Sequence, residues 1–139
     1  MRVLLSIKPK YVEQILKGNK KFEFRKVIFK DQSVQEIFIY SSYPVKKIIG
    51  KFRVGDILED HPDRLWMKVK DASGIDEEEF FNYFHGKEKG FAIGIDEMLQ
   101  FDEPYDPWEH NSNFIAPQSF QYIDDSFIPQ ESEEFLAEC

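Results

Sequence analysis

The chain of 139 residues allows one compact domain, because domains usually contain roughly 100–200 residues. Hydrophobic residues make up 42% of it and aromatic residues 16%, which supports a buried core and excludes global disorder. Its apolar runs are too short for a membrane-spanning helix or a secretory leader, so we expect a soluble, cytoplasmic protein with no membrane partner. A single cysteine, Cys139, excludes an internal disulfide and cysteine-rich zinc sites.

The formal charge of −8 is distributed unevenly along the chain. Residues 1–55 contain 13 Lys and Arg against 4 Asp and Glu, whereas residues 90–139 contain 12 acids and neither Lys nor Arg. A basic half attracts phosphate, and an acidic half opposes nonspecific coating by nucleic acid. The alternative is that both halves interleave in the fold, so that the asymmetry disappears at the surface.

The first twenty residues predict a strand followed by a helix. Residues 3–7 form a short apolar run with β-branched side chains, which is typical of a strand. Pro9 suits the first position of a helix, apolar residues then recur at helical spacing, and Gly18 supplies a C-terminal stop. We therefore predict a helix over residues 9–17.

Charged and apolar side chains alternate over residues 21–29, which is the period of a half-buried strand. This alternation predicts that the phenylalanines face the core. It also predicts that Lys21, Glu23 and Arg25 face outward together.

The rest of the chain predicts three more strands and two more helices. Apolar runs predict the strands over residues 36–41, 47–54 and 91–96, and helical spacing predicts helices over residues 60–71 and from Asp76 to near Gly86. Short strands at both ends with helices inserted between them predict an α+β domain whose sheet curls into a small barrel. We assign this domain to residues 1–125 and a C-terminal tail to residues 126–139.

The segment after the first helix resembles a known family. Residues 18–25 follow the pattern Gly-x-Lys-x-x-Glu-x-Arg, which is matched at Gly18, Lys20, Glu23 and Arg25. Together with residues 5–9 and 39–50, this segment resembles the ASCH domain family of the PUA-like superfamily. The resemblance implies a small PUA-like β-barrel with flanking helices, a cleft beside the first helix and a role in RNA binding. Some members of the family hydrolyse the acetyl amide of N4-acetylcytidine, so the resemblance also implies this activity as an alternative.

The same residues offer polar groups to a ligand. Lysine and arginine donate hydrogen bonds to phosphate or to a base carbonyl, and Glu23 can accept from an exocyclic amine or hold Arg25 in place. The alternative is a solvated strand face on which Glu23 only pairs with its basic neighbours. The predicted ligand-binding or nucleic-acid-binding residues are Lys8, Lys20, Lys21, Glu23, Arg25, Tyr40, Ser41, Ser42, Lys46 and Lys47. Lys51 and Arg53 would extend the surface that contacts phosphate.

Catalysis is an open alternative that would depend on Lys20, with Glu23 moving a proton or orienting the attacking group. The amidohydrolase members of the resembling family use the loop lysine, a threonine three or four positions later and a distant glutamate. Here Glu23 takes the place of the threonine. The distant glutamate is one of Glu77, Glu78 and Glu79.

We rank first an RNA-binding or nucleic-acid-binding module whose ligand is RNA, a nucleotide or a nucleoside. One alternative is a small amidohydrolase acting on N4-acetylcytidine-type substrates. The other is a protein-interaction module that uses the acidic C-terminal half. No cofactor or metal is predicted, because the three histidines, His61, His85 and His110, are too scattered for a metal motif.

Overall fold

The computed structural model describes residues 1–124 and 126–127. Its strands are β1 (Arg2–Ile7), β2 (Phe22–Arg25), β3 (Glu36–Ser41), β4 (Lys47–Asp60), β5 (Gly90–Tyr105) and β6 (Phe120–Ile123). Its helices are α1 (Pro9–Leu16), α2 (Pro62–Val69), α3 (Glu77–Tyr83) and α4 (Pro107–His110), with a 3₁₀ turn at Lys70–Ala72. Within this part of the chain, no helix combines the length and the apolarity that a membrane crossing requires.

The strands form one mixed sheet in the order β2-β5-β4-β3-β1-β6. Strands β1 and β3 are parallel, and the other neighbouring strands are antiparallel. The α+β class is as predicted, but the sheet is open rather than a closed barrel, with β2 and β6 as its two edges. Arg25 in β2 connects this edge strand to β1 near the opposite edge. Its Nη1 donates a hydrogen bond to the carbonyl oxygen of Ser6 at 3.2 Å.

Strand lengths depart from the sequence prediction where pairing is irregular. The predicted strand over 47–54 continues to Asp60, because register shifts between Arg53 and Ile57 let β4 stay paired with β5 beyond Gly55. A Cβ on Gly94 would lie 2.8 Å from the carbonyl oxygen of Asp56, so the strands approach this closely only because residue 94 is glycine. Sequence periodicity carries no record of such bulges.

The core consists of three clusters of buried side chains. One packs α1 against β1, β3 and the middle of the sheet, and a second surrounds Tyr40 and Phe114 near α4. The third joins α2 and α3 to β2 through Phe24, Trp66 and Phe80. These last contacts hold α3 against the strand that carries the matched sequence pattern.

Two helix starts position the side chains of the site. Pro9 occupies the first turn of α1, as predicted. Helix α3 is capped by Asp76, whose side chain accepts a hydrogen bond from the backbone N–H of Glu79 at 2.8 Å. The three glutamates of its first turn lie at the positive end of the helix dipole.

The predicted tail over residues 126–139 lies outside the described residues except for Ser126 and Phe127. Phe127 packs against Phe114 with a distance of 5.9 Å between ring centroids, and its carbonyl oxygen accepts a hydrogen bond from the Tyr105 hydroxyl at 3.2 Å. The chain is therefore in contact with the domain at least as far as residue 127.

Candidate functional site

A cavity of about 410 Å³ lies between α1, β2 and the C-terminal part of α3. Five of the predicted site residues line it: Lys8, Lys20, Glu23, Arg25 and Ser42. Ser6, Tyr11, Tyr83 and Gln118 contribute further polar groups, and Ile7, Phe24 and Ile75 contribute apolar ones. Residues from five separate segments thus converge on one space.

Lys20 is the most deeply buried cation of the cavity, with 3% of its surface exposed. Its Nζ donates a hydrogen bond to the carbonyl oxygen of Ser73 at 3.3 Å and lies 3.9 Å from Glu23 Oε1. The ammonium also lies 4.2 Å from the centroid of the Phe24 ring. Burial lowers the pKa of Lys20, and the negative charges of Glu23 and Glu79 oppose that shift.

Lys20 points inward because it precedes the strand. Strand β2 begins at Phe22, so the alternation predicted from residue 21 does not extend to Lys20. The backbone N–H of Lys20 donates to the carbonyl oxygen of Gln14 at 3.1 Å, and that of Lys21 donates to Ala72 at 2.9 Å. The end of α1 and the 3₁₀ turn thus hold the Lys20 backbone from both sides.

We expect Gly74→Ala to destabilise the protein by about 1–3 kcal/mol, because it adds both backbone strain and a clash. Gly74 has a φ of +70°, and an added Cβ would lie 2.4 Å from the Cβ of Lys20. Chemical denaturation measures the loss. Gly86→Ala is the matched control, because Gly86 has a φ of +77° with nothing within 4 Å of its added Cβ. Equal losses in the two variants would mean that the contact with Lys20 contributes nothing.

Glu23 and Arg25 face the cavity together, and Glu23 is buried rather than exposed as the alternation predicts. Arg25 Nη1 donates to Glu23 Oε2 at 3.2 Å, and Nη2 donates to Ser119 Oγ at 2.8 Å. Both faces of β2 are covered, one by α2 and α3 packing on Phe24 and the other by this network. The alternative of a solvated strand face is therefore wrong for Glu23.

Tyr11 and Glu79 form a second polar pair at the cavity. The Tyr11 hydroxyl donates a short hydrogen bond to Glu79 Oε2, and Lys10 Nζ lies 2.7 Å from the same oxygen. Burial and this hydrogen bond raise the pKa of Tyr11 to about 12, while the hydrogen bonds from Lys10 and Tyr11 lower the pKa of Glu79.

The sequence leaves open which of three glutamates is the distant glutamate of the resemblance. Among them, Glu79 contacts a residue that lines the cavity. Its carboxylate accepts the hydrogen bond of Tyr11, a lining residue, and its negative charge opposes the lowering of the Lys20 pKa by burial. Glu77 instead accepts a hydrogen bond from Trp66 Nε1 at 3.1 Å, and Glu78 is exposed.

The other predicted site residues do not line the cavity. Tyr40 packs against Trp108 and Phe114 in the second core cluster, and Ser41 is buried beside it in β3. Lys21, Lys46 and Lys47 are exposed. The predicted phosphate-contacting pair is engaged elsewhere, since Lys51 is buried beside Glu36 at 3.3 Å and Arg53 pairs with Glu97 at 2.9 Å.

Sequence reasoning missed several polar groups of the cavity. Tyr11 stands beside the apolar positions of α1, Tyr83 ends α3, and Gln118 and Ser119 precede β6. No spacing rule connects segments this far apart in the chain. Across residues 1–124 and 126–127, no group of three or more His, Cys, Asp and Glu side chains is placed to hold a metal ion.

Comparison with known proteins places this arrangement in a family. The ASCH domain family matches residues 5–122, which include every described residue of the cavity. The chain belongs to the ASCH domain family. The resemblance carried by Gly18, Lys20, Glu23 and Arg25 is thereby confirmed.

Individual ASCH relatives match most of the chain. The ASCH domain-containing ribonuclease of Zymomonas mobilis is 29% identical over 126 residues, which cover 86% of this chain and 82% of that protein. The crystal structure of ASCH from Zymomonas mobilis has a TM-score of 0.82 and 26% identity, covering 91% of this chain and 90% of the other. Large ribosomal subunit protein uL22 of Ureaplasma parvum is 28% identical over 90 residues, covering 65% of this chain and only 29% of its own length.

Proposed function

We propose that this ASCH protein binds RNA with one nucleotide in the cavity and cleaves the RNA there. The observation that carries the proposal is the buried cluster of Lys20, Glu23 and Arg25 in a cavity of about 410 Å³. That volume falls within the roughly 300–1,000 Å³ of small-molecule sites and suits one nucleotide. The Zymomonas mobilis relative, named a ribonuclease, supports the same direction.

The cavity offers groups for each part of a nucleotide. Lys8 is exposed at its edge and offers a cation to a phosphate, and Ser42 offers a hydroxyl. Tyr11 and Tyr83 also line the cavity and offer apolar ring surface to a base or a sugar. Lysine ammonium groups already lie over their rings, those of Lys10 and Lys20 over Tyr11 at 4.9 and 5.4 Å and that of Lys26 over Tyr83 at 4.6 Å. Arg25 is held in place by Ser6 and Ser119, so its charge is already oriented before a ligand enters.

Cleavage of RNA requires one proton acceptor and one proton donor. In the proposed reaction the Glu23 carboxylate takes the proton of a ribose 2′-hydroxyl, and the 2′-oxygen forms a bond to phosphorus. The bond from phosphorus to the 5′-oxygen breaks, and that oxygen takes a proton from the Lys20 ammonium. The products are a 2′,3′-cyclic phosphate and a 5′-hydroxyl, so no water or cofactor is consumed in this step.

The lowered pKa of Lys20 suits it to the donor role. An ammonium whose pKa lies below that of ordinary lysine gives up its proton more readily near neutral pH. Its distance of 3.9 Å from Glu23 Oε1 lets the proton collected by the carboxylate return to the amine after each turnover. Arg25 adds positive charge beside the developing negative charge on phosphate.

Salt dependence tests whether RNA binds through its phosphates. The probe is a 2′-O-methyl RNA oligonucleotide, which cannot be cleaved because its 2′-oxygens are methylated. We expect the affinity for this probe to fall steeply as the salt concentration rises. Joint replacement of Lys46 and Lys47 by alanine should reduce the slope of log affinity against log salt concentration by the equivalent of about two phosphate contacts. Fluorescence anisotropy across a salt series measures both effects.

The matched control replaces two exposed lysines from another part of the surface, Lys70 and Lys87, and should keep the wild-type slope. An unchanged slope after loss of Lys46 and Lys47 would remove those residues from the binding surface. Absence of binding at low salt to varied RNA and DNA would contradict the proposed function itself.

Amide hydrolysis of N4-acetylcytidine is a second candidate, favoured by the lowered pKa of Lys20. A lysine with a lowered pKa can act as a base or nucleophile, and Glu23 lies close enough to exchange a proton with it. The threonine of such amidohydrolases is replaced here by Glu23, so that hydroxyl is missing. Incubation with N4-acetylcytidine tests this candidate; release of cytidine by the wild type and not by Lys20→Ala would favour it over RNA cleavage.

The third candidate, docking of a basic protein on the acidic C-terminal half, stays a prediction. Part of that half, residues 128–139, lies outside the described residues. A pull-down that survives nuclease treatment and depends on the C-terminal acids would favour it.

A further inference from the structure

The turn between β3 and β4 presents an aromatic side chain to solvent beside the cavity. Tyr43 is 81% exposed, the largest exposed fraction among the bulky hydrophobic side chains of the described residues. A single exposed aromatic residue is ordinary on a protein surface. Its position and the charge around it distinguish this one.

The turn is anchored to the cavity by its first residue. Ser42 lines the cavity, and its backbone N–H donates to the carbonyl oxygen of Ile7, another lining residue, at 3.0 Å. The N–H of Val45 donates back to the carbonyl oxygen of Ser42 at 3.1 Å, which closes the turn. The Cα of Tyr43 therefore lies about 3.8 Å from that of a lining residue.

Two exposed lysines follow the turn. Residues 37–55 contain four Lys and Arg and no acid, and two of the four, Lys51 and Arg53, are paired with Glu36 and Glu97. The other two cations, Lys46 and Lys47, are exposed directly after the turn, and Lys46 Nζ lies 5.1 Å from the centroid of the Trp108 ring. An acid of the neighbouring element, Asp106, accepts a hydrogen bond from the N–H of Trp108 at 2.9 Å, so part of its charge is engaged in capping α4.

We propose that Tyr43 stacks on the base of the nucleotide that neighbours the one in the cavity, so that the ligand is single-stranded RNA of two or more nucleotides. This inference rests on the proposed function and extends it to a second binding position. Stacking on an aromatic ring accepts any base, and only an unpaired strand offers an open base face. The flanking lysines contact the phosphate of that second nucleotide.

The test compares a one-nucleotide and a three-nucleotide probe. We would measure binding of uridine 5′-monophosphate and of a 2′-O-methyl uridine trinucleotide to wild type, Tyr43→Ala and Tyr43→Phe. Tyr43→Ala should weaken trinucleotide binding by about tenfold, the order that a lost base stack produces, and leave mononucleotide binding unchanged. Tyr43→Phe should bind both probes like the wild type, because it keeps the ring.

Met67→Ala is the control for loss of an exposed apolar side chain, because Met67 is 65% exposed on α2 and does not line the cavity. It should bind both probes like the wild type. Equal trinucleotide affinity of Tyr43→Ala and wild type would overturn the inference while leaving the proposed function standing. Equal weakening of both probes would assign Tyr43 to the first nucleotide and also overturn it. A wild-type protein that binds neither probe would contradict the proposed function.

Discussion

Lys20→Ala is expected to reduce RNA cleavage by about 100-fold or more, the range over which a positioned proton donor acts. The substitution removes the ammonium that lies 3.9 Å from Glu23 Oε1 and donates to the carbonyl oxygen of Ser73. It also leaves Glu23 without one of its two cationic neighbours. Single-turnover cleavage of a labelled RNA measures the loss.

Two further variants separate chemistry from binding. Lys17→Ala removes an exposed lysine of the same segment, paired with Glu13 at 2.8 Å, and should cleave RNA at the wild-type rate. Glu23→Gln should slow cleavage while retaining most of the affinity for 2′-O-methyl RNA, because it removes the proton acceptor and keeps the shape. Normal cleavage by Lys20→Ala would move the chemistry to another site.

The pH profile of cleavage provides a second readout of Lys20. Since burial lowers its pKa below 10.5, the ammonium loses its proton at a lower pH than an ordinary lysine. A donor is active in its protonated form, so the rate falls as pH rises through the lowered pKa. An alkaline limb at or above 10.5 would contradict the assignment of Lys20 as the donor.

Phe80→Ala is expected to lower the free energy of unfolding by about 3–5 kcal/mol, the usual cost of removing a fully buried phenylalanine ring. Phe80 has no exposed surface, and its ring centroid lies 4.9 Å from that of Trp66 and 5.1 Å from that of Phe24. Its neighbours on α3, Glu79 and Tyr83, belong to the site, so RNA binding should weaken as well. Urea denaturation measures the stability.

Two further substitutions serve as comparisons for Phe80→Ala. Phe81→Ala removes the next residue, which is only partly buried, and should cost clearly less stability. Phe80→Leu retains part of the side-chain volume and keeps the protein measurable if Phe80→Ala does not fold. Equal losses for Phe80→Ala and Phe81→Ala would show that the third cluster does not depend on the Phe80 ring.

Local sequence signals predict α1 and β3 closely, whereas the strand predicted over residues 21–29 ends already at Arg25. The sequence predicts a helix over residues 9–17, and α1 spans Pro9–Leu16; β3 occupies the predicted residues 36–41. Both depend on signals within a few residues, namely a proline start, a glycine stop and an apolar run. The open sheet in place of the predicted barrel, and the lengths of β4 and β5, depend instead on bulges and on partner strands distant in the chain.

The sequence by itself determined which charged residues are candidates for the site. The spacing of Gly18, Lys20, Glu23 and Arg25 is a property of one short segment. Only the tertiary structure decided that Glu23 is buried, since Arg25 must reach Ser6 and Ser119 from other segments to cover that face of β2. Likewise, only the tertiary structure shows that Glu79, among three adjacent glutamates, accepts the hydrogen bond of Tyr11 at the cavity. The physical reason is that burial and pKa depend on which distant groups come within a few ångströms, and spacing along one segment carries no information on that.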